Sequence, residues 1–254
     1  SLISSQTCQR SCGNQLIRYP FGTGYGCGDP RFQKYVKCNQ QKLILTTYTG
    51  CHTIDYDNQV LYIEDPTMST CASTQQSEGF GLDWDAPFTF HGDNIFVLLG
   101  CSTTSSLYNS GNSTTVPLCD NQDAPTCSLL YSCPAICTLN QPIPTCCVYT
   151  PVDLGPTFNI DLQKLQCASY ASVYSFNGQD SSPESWKYGV ALNYKFNVRN
   201  DLPGTCRVCE ESKGVCGYNS FQNSFICNCL GGLNTTTDCY FGASWSDNGR
   251  LLPS

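Results

Sequence analysis

Tyr188-Gly189-Val190-Ala191-Leu192-Asn193-Tyr194-Lys195-Phe196-Asn197-Val198-Arg199 alternates large apolar side chains with small or polar ones. Tyr188, Val190, Leu192, Tyr194, Phe196 and Val198 fall on one side of an extended chain, and this period of two predicts a strand with one buried and one wet face. Residues 157–162 offer a partner strand. Upstream, residues 42–48, 60–63, 88–90 and 95–99 are short β-branched and aromatic runs bounded by Gly, Pro, Asn and Ser, which read as further strands. Long helical periodicity is missing; Ser181-Ser182-Pro183-Glu184 matches a capping box and predicts a turn or two of helix. The whole reads as a mainly β, disulfide-rich chain of short-stranded sheets and long loops.

The 254 residues contain 20 cysteines, one Met and two His, with 40% hydrophobic and 13% charged residues. So many cysteines, even in number and beside so few histidines, point to disulfides formed in an oxidising compartment and exclude a cytosolic enzyme. The length allows one large domain or two to three small ones. No run approaches the roughly 18 apolar residues of a membrane span. The start, Ser1-Leu2-Ile3-Ser4-Ser5-Gln6, lacks the basic-then-apolar order of a signal peptide, so the chain reads as mature or trimmed. Residues 101–151 turn to Ser, Thr, Pro, Asn and cysteine, with six cysteines from Cys119 to Cys147. Loops that long need tying down, and bridges contributing about 2–4 kcal/mol each would do it. The neighbours Cys146 and Cys147 are expected to bond to different partners, because a bridge between adjacent residues is strained.

Signals for catalysis are weak. His52 and His91 lie in no nucleophile or metalloprotease motif. Asp83-Trp84-Asp85 sets two carboxylates about an aromatic, but acid and base roles in sugar cleavage need carboxylates that flank the bond; solvated acids beside a buried Trp is the plainer reading, and the chain is taken as non-enzymatic. Cys206-x2-Cys209 with Cys227-x-Cys229 has zinc-ribbon-like pairs, yet the second is compressed and the oxidising context favours bridges, so no metal and no cofactor is expected. Asn112-Ser113-Thr114 and Asn234-Thr235-Thr236 are N-glycosylation sequons in loop-like sequence.

Charge is unevenly spread over a chain whose net is −7. Residues 1–50 hold Arg10, Arg18, Arg31, Lys34, Lys37 and Lys42 against one acid, Asp29, a net of +5. The other seven cations meet nineteen acids, a net of −12. Such asymmetry suggests that one end meets a polyanion or an acidic surface. In the same stretch Ile17-Arg18-Tyr19-Pro20-Phe21-Gly22 and Tyr25 place flat rings in a Gly-rich loop. Ring faces for stacking and Arg for bidentate carboxylate pairing are what an acidic sugar chain requires. The candidate ligand residues are therefore Arg10, Arg18, Tyr19, Tyr25, Arg31, Lys34, Lys37 and Lys42, with Phe21 expected in a small core.

Two resemblances extend this reading. The tail, Cys206-x2-Cys209-x6-Cys216-x10-Cys227-x-Cys229-x9-Cys239, resembles an EGF-like module. That resemblance implies the pairs Cys206 with Cys216, Cys209 with Cys227, and Cys229 with Cys239. The residues before it, Asp201-Leu202-Pro203-Gly204-Thr205, do not supply the ligands of a calcium-binding version. Further, Cys8-x3-Cys12-Gly13, Ile17-x-Tyr19-Pro20-Phe21-Gly22, Cys27, Cys38 and Asn94-Ile95-Phe96-x3-Gly100-Cys101 look like the galacturonan-binding module of plant wall-associated receptor kinases. Leu162-x2-Leu165-x-Cys167-x2-Tyr170, Trp186-x-Tyr188-Gly189 and Ser212-x-Gly214-x-Cys216-Gly217 look like the cysteine-rich C-terminal module of the same ectodomains. The tandem EGF modules of better-known members are absent, which is nearer the wall-associated-kinase-like or rust-resistance-kinase-like branch.

The family resemblance implies an extracellular ectodomain, normally followed by a membrane span and a kinase, that faces the cell wall and binds pectin as homogalacturonan or oligogalacturonides. Three modules are expected: residues 1–115, galacturonan-binding-like; 116–203, cysteine-rich β; and 204–254, EGF-like with a tail. A second hypothesis is a protein- or peptide-recognition ectodomain, binding a secreted peptide or co-receptor through the acidic remainder and residues 101–147. No nucleic-acid partner is expected.

Overall fold

The computed structural model describes residues 8–45, 51–82, 86–108, 125–137, 146–149, 159–176, 182–195, 203–219, 221–222 and 224–240. The N-terminal segment opens with a small hairpin, β1 (Ser11–Cys12) against β2 (Gln15–Leu16). After a loop comes α1 (Pro30–Gln33), one turn long, with Pro at its start and the Asp29 carboxylate accepting from the Arg31 N–H as its N-cap. A second hairpin follows, β3 (Val36–Asn39) with β4 (Lys42–Leu45), and then β5 (Cys51–Asp55). Its two-residue turn, Gln40-Gln41, takes positive φ at both positions, which matches the twist of the flanking strands. Register pairs Lys37 with Ile44 and Asn39 with Lys42, so both lysines stand on the exposed face while Val36, Leu43 and Leu45 are buried on the other. Bridges join Cys8 to Cys27 and Cys12 to Cys38.

The middle of the chain carries β6 (Val60–Ile63), β7 (Gly79–Gly81), β8 (Phe88–Phe90), β9 (Ile95–Leu99), α2 (Pro125–Tyr131), α3 (Pro134–Cys137), β10 (Cys146–Tyr149), β11 (Asn159–Asp161), α4 (Leu162–Leu165), β12 (Ser169–Val173) and β13 (Val190–Tyr194). Strand β9 is central in an antiparallel sheet with β10 and β12 on its flanks. Val97, Leu99, Ala171, Val173 and Trp186 pack there against Leu130 and Ile136 of the two helices, and bridges from Cys71 to Cys133 and from Cys127 to Cys146 fasten those helices down. Cys147 is also bridged, so the adjacent cysteines have separate partners. In sequence this stretch reads as loop, because Ser, Thr and Pro dilute the apolar periodicity of the two helices.

Strand β13 departs from the expected one-sided pattern. Val190, Ala191 and Leu192 are all buried, because the strand lies between β6 and β8 and is covered on both faces. Its partner is β6, with Leu192 opposite Leu61; the strand inside residues 157–162 is β11, which pairs with β7 instead. Residues 196–200 and 46–48, the ends of two expected strands, lie outside the described residues. Around Ser182 the backbone forms a 3-10 turn, Pro183–Ser185, without a side-chain cap bond from Ser182 to the backbone.

The tail comprises α5 (Gly204–Glu211) and a three-stranded antiparallel sheet of β14 (Val215–Asn219), β15 (Ser224–Asn228) and β16 (Asn234–Thr235). Its bridges are Cys206 with Cys216, Cys209 with Cys227, and Cys229 with Cys239, the order that the EGF resemblance implies. The buried sulfurs form a core in place of large apolar side chains. A small module gains from this, because it cannot bury enough apolar surface unaided. Among the described residues no helix is long and apolar enough to cross a membrane.

Packing groups these elements into two compact units. One consists of the N-terminal segment up to Gln59 together with the chain from Tyr194 onward; the other is Val60–Asn193. Expected boundaries at 115 and 203 follow cysteine spacing along the chain, whereas the units follow packing, which joins the two ends. In the first unit Phe21, Phe32 and Tyr194 meet edge to face, with centroids 5.0–6.1 Å apart, and all three are buried.

Candidate functional site

Asp29 organises the N-terminal candidates. Its carboxylate caps α1, accepts from the Arg31 guanidinium at 3.1 Å (Nε to Oδ1) and 2.9 Å (Nη2 to Oδ2), and accepts from the Tyr19 hydroxyl at 2.8 Å. Burial alone would push the Asp29 carboxyl up; the bonds from Arg31 and Tyr19 outweigh it and hold it below its ordinary value. Burial, reinforced by the Asp29 charge, pushes the Tyr19 hydroxyl upward, so it stays a donor at neutral pH. Asp29 itself is buried, while the Arg31 side chain remains half exposed. The result is a guanidinium with fixed orientation and an outward edge.

Tyr19 and Arg31 line a cleft of about 400 Å³. Its opposite wall comes from the tail: Pro203 and Thr205 at the start of α5, and Tyr218 and Phe225 from facing strands β14 and β15. The tail approaches closely because Gly217 has no side chain; a Cβ there would sit 2.1 Å from the Gly26 carbonyl oxygen. Backbone bonds run across this contact, from Tyr218 N–H to the Gly26 carbonyl at 3.0 Å and from Gly28 N–H to the Cys216 carbonyl at 3.3 Å. Tyr218 and Phe225 are ligand candidates that the cysteine-dominated tail conceals in sequence.

The remaining cations divide into groups. Arg18 pairs with Glu210 of α5 at 2.5 Å, and Arg10 donates to the Lys213 carbonyl at 2.9 Å, so these two fasten the N-terminal segment to the tail. Lys34 caps α1 and lies 4.9 Å from the Tyr35 ring centroid. Lys37 and Lys42 share the exposed face of the β3–β4 hairpin. Tyr25 is 62% exposed and meets the still more exposed Phe221 edge to face at 6.3 Å. All six cations are thus solvent-exposed, whereas the single acid of the segment is buried.

Other candidates play local roles or fall outside view. Asn234 is exposed at the start of β16, open to modification, and Asn112 lies outside the described residues. Asp83, Trp84, Asp85 and the His52 side chain lie outside them too. His91 Nδ1 accepts from the Asp93 N–H at 3.2 Å and closes a turn. The sulfurs of Cys206, Cys209, Cys216, Cys227, Cys229 and Cys239 are in disulfides and offer a metal no thiolate.

Residues 8–65 match the family model described as wall-associated receptor kinase galacturonan-binding, and residues 155–232 match that described as wall-associated receptor kinase C-terminal. The curated proteins to which the chain is similar include three from Arabidopsis thaliana. Wall-associated receptor kinase 3 is 24% identical, across 90% of this chain and 34% of the relative. Wall-associated receptor kinase 2 is 26% identical, across 89% and 32%. Wall-associated receptor kinase-like 10 is 25% identical, across 56% and 18%. The chain therefore spans about a third or less of the length of these relatives. No solved structure matches it.

Proposed function

Taking the chain as what its two matched modules make it, a wall-associated-receptor-kinase-like ectodomain, we propose that it binds pectin, as homogalacturonan or oligogalacturonides, through the basic and aromatic surface of its N-terminal segment. In this reading it is the extracellular, wall-facing part of a membrane-anchored receptor, with signalling left to a kinase elsewhere in the protein. The observation that carries the proposal is the exposure of Arg10, Arg18, Arg31, Lys34, Lys37 and Lys42, in a segment whose one acid, Asp29, is buried and which matches a module described as galacturonan-binding.

Electrostatics favour this segment over the rest of a chain that is net acidic. Exposed charges more than about 10 Å apart are largely screened at 0.1 M salt, so a local cluster can attract a polyuronate that the −7 body repels. Lys37 and Lys42 are the cations to change, because they share a solvent face and neither bridges to the tail in the manner of Arg10 and Arg18. Calorimetric titration of a de-esterified oligogalacturonide into the intact chain and into the Lys37→Glu/Lys42→Glu variant tests the proposal. About tenfold weaker binding by the variant, with a reduced dependence on salt, is expected from two reversed surface charges. Equal affinity, or wild-type binding insensitive to salt, contradicts it.

A further inference from the structure

The charges of the first fifty residues account for attraction but not for the recognition of a sugar ring. We infer that the cleft beside Arg31 is a ring subsite completed by Tyr218 and Phe225, so that uronate binding draws on both matched modules, not on the N-terminal segment alone. This rests on the proposed pectin reading and deepens it. Four observations point there.

The cleft, at about 400 Å³, lies within the usual range of small-molecule sites, about 300–1,000 Å³. Its aromatic walls, Tyr19 from one end of the chain and Tyr218 and Phe225 from the other, are each half buried; Tyr19 and Phe225 pack against the tail's disulfide core, and the ring surface that lines the cleft suits the C–H face of a pyranose. Arg31 offers a guanidinium to a uronate carboxylate, and its plane is fixed because Asp29, which also lines the cleft, grips it through Nε and Nη2 and leaves its other N–H groups as donors. Asp29 is in turn buried and also holds the Tyr19 hydroxyl, so stacking wall and cation are oriented by one carboxylate before any ligand arrives.

The tail is not an interchangeable neighbour. Arg18 to Glu210, Arg10 to the Lys213 carbonyl and the Gly26 to Tyr218 backbone bond hold its wall opposite Tyr19 and Arg31. The occupant with this chemistry is one galacturonosyl unit, its carboxylate toward Arg31 and its ring against the aromatic wall.

Titration of a de-esterified oligogalacturonide into the intact chain and three variants tests the inference. Tyr218→Ala removes a stacking wall, Tyr218→Phe keeps the ring, and Thr205→Trp fills the cleft from an exposed position without touching a disulfide. Tyr218→Ala and Thr205→Trp are expected to bind about tenfold more weakly, and Tyr218→Phe within about twofold of wild type. Wild-type affinity in both Tyr218→Ala and Thr205→Trp overturns the subsite while leaving the lysine-dependent reading standing. Failure of the unaltered chain to bind overturns both.

Discussion

Asp29 is the acid of the N-terminal segment, and its value to the fold is larger than its effect on net charge. It caps α1, pairs with Arg31 and receives the Tyr19 hydroxyl. Asp29→Ala should cost about 2 kcal/mol at neutral pH, from the lost cap and the stranded Tyr19 donor. The pH dependence follows from the direction of its shift. A carboxyl held below its ordinary value in the folded chain stabilises fully above the unfolded value of about 4, and that contribution fades as pH falls through the lowered folded value. Urea unfolding of wild type and Asp29→Ala should therefore show a gap at pH 7 that narrows below about pH 4; a constant gap contradicts this role. At this scale sequence revealed the cations but not their partners. Glu210 and Lys213 stand 192 and 203 residues from Arg18 and Arg10, beyond the reach of any local pattern.

At the scale of elements, strands were legible where a β-rich run ended abruptly in turn residues. Val60–Ile63, Phe88–Phe90 and Ile95–Leu99 form as their runs suggest. Pairing was less legible, because period two says which side chains share a face and not which strand lies alongside; β11 joins β7 and leaves β13 to β6. Helix α5 was hidden for another reason: Cys206 and Cys209 take its buried positions, so its inward face reads as cysteine spacing instead of apolar periodicity. The junction between the 24–28 loop and β14 depends on a missing side chain. Gly217→Ala would place a methyl 2.1 Å from the Gly26 oxygen and 2.6 Å from Asn228 Nδ2. We expect a loss of about 1–3 kcal/mol, typical of overpacking, with faster amide exchange at Tyr218, whose N–H binds Gly26. Unchanged exchange and stability would mean that the loop does not bear on the strand.

At the scale of the molecule, a mainly β, disulfide-rich chain brings its two ends together in one unit and keeps Val60–Asn193 as the other. The segments matched by the two family models, 8–65 and 155–232, both contribute to the first unit, and that is how an N-terminal arginine and C-terminal aromatics come to line one cleft. Spacing could announce each module but not their union, since no residue pattern within either records the other. The proposed function requires a uronate chain to bind on this first unit. Hydrogen–deuterium exchange of the intact chain with and without a de-esterified oligogalacturonide tests it most directly. Slowed exchange is expected in peptides covering residues 18–42 and 203–225, with little change across 60–193; protection confined to 60–193 would overturn binding on the first unit.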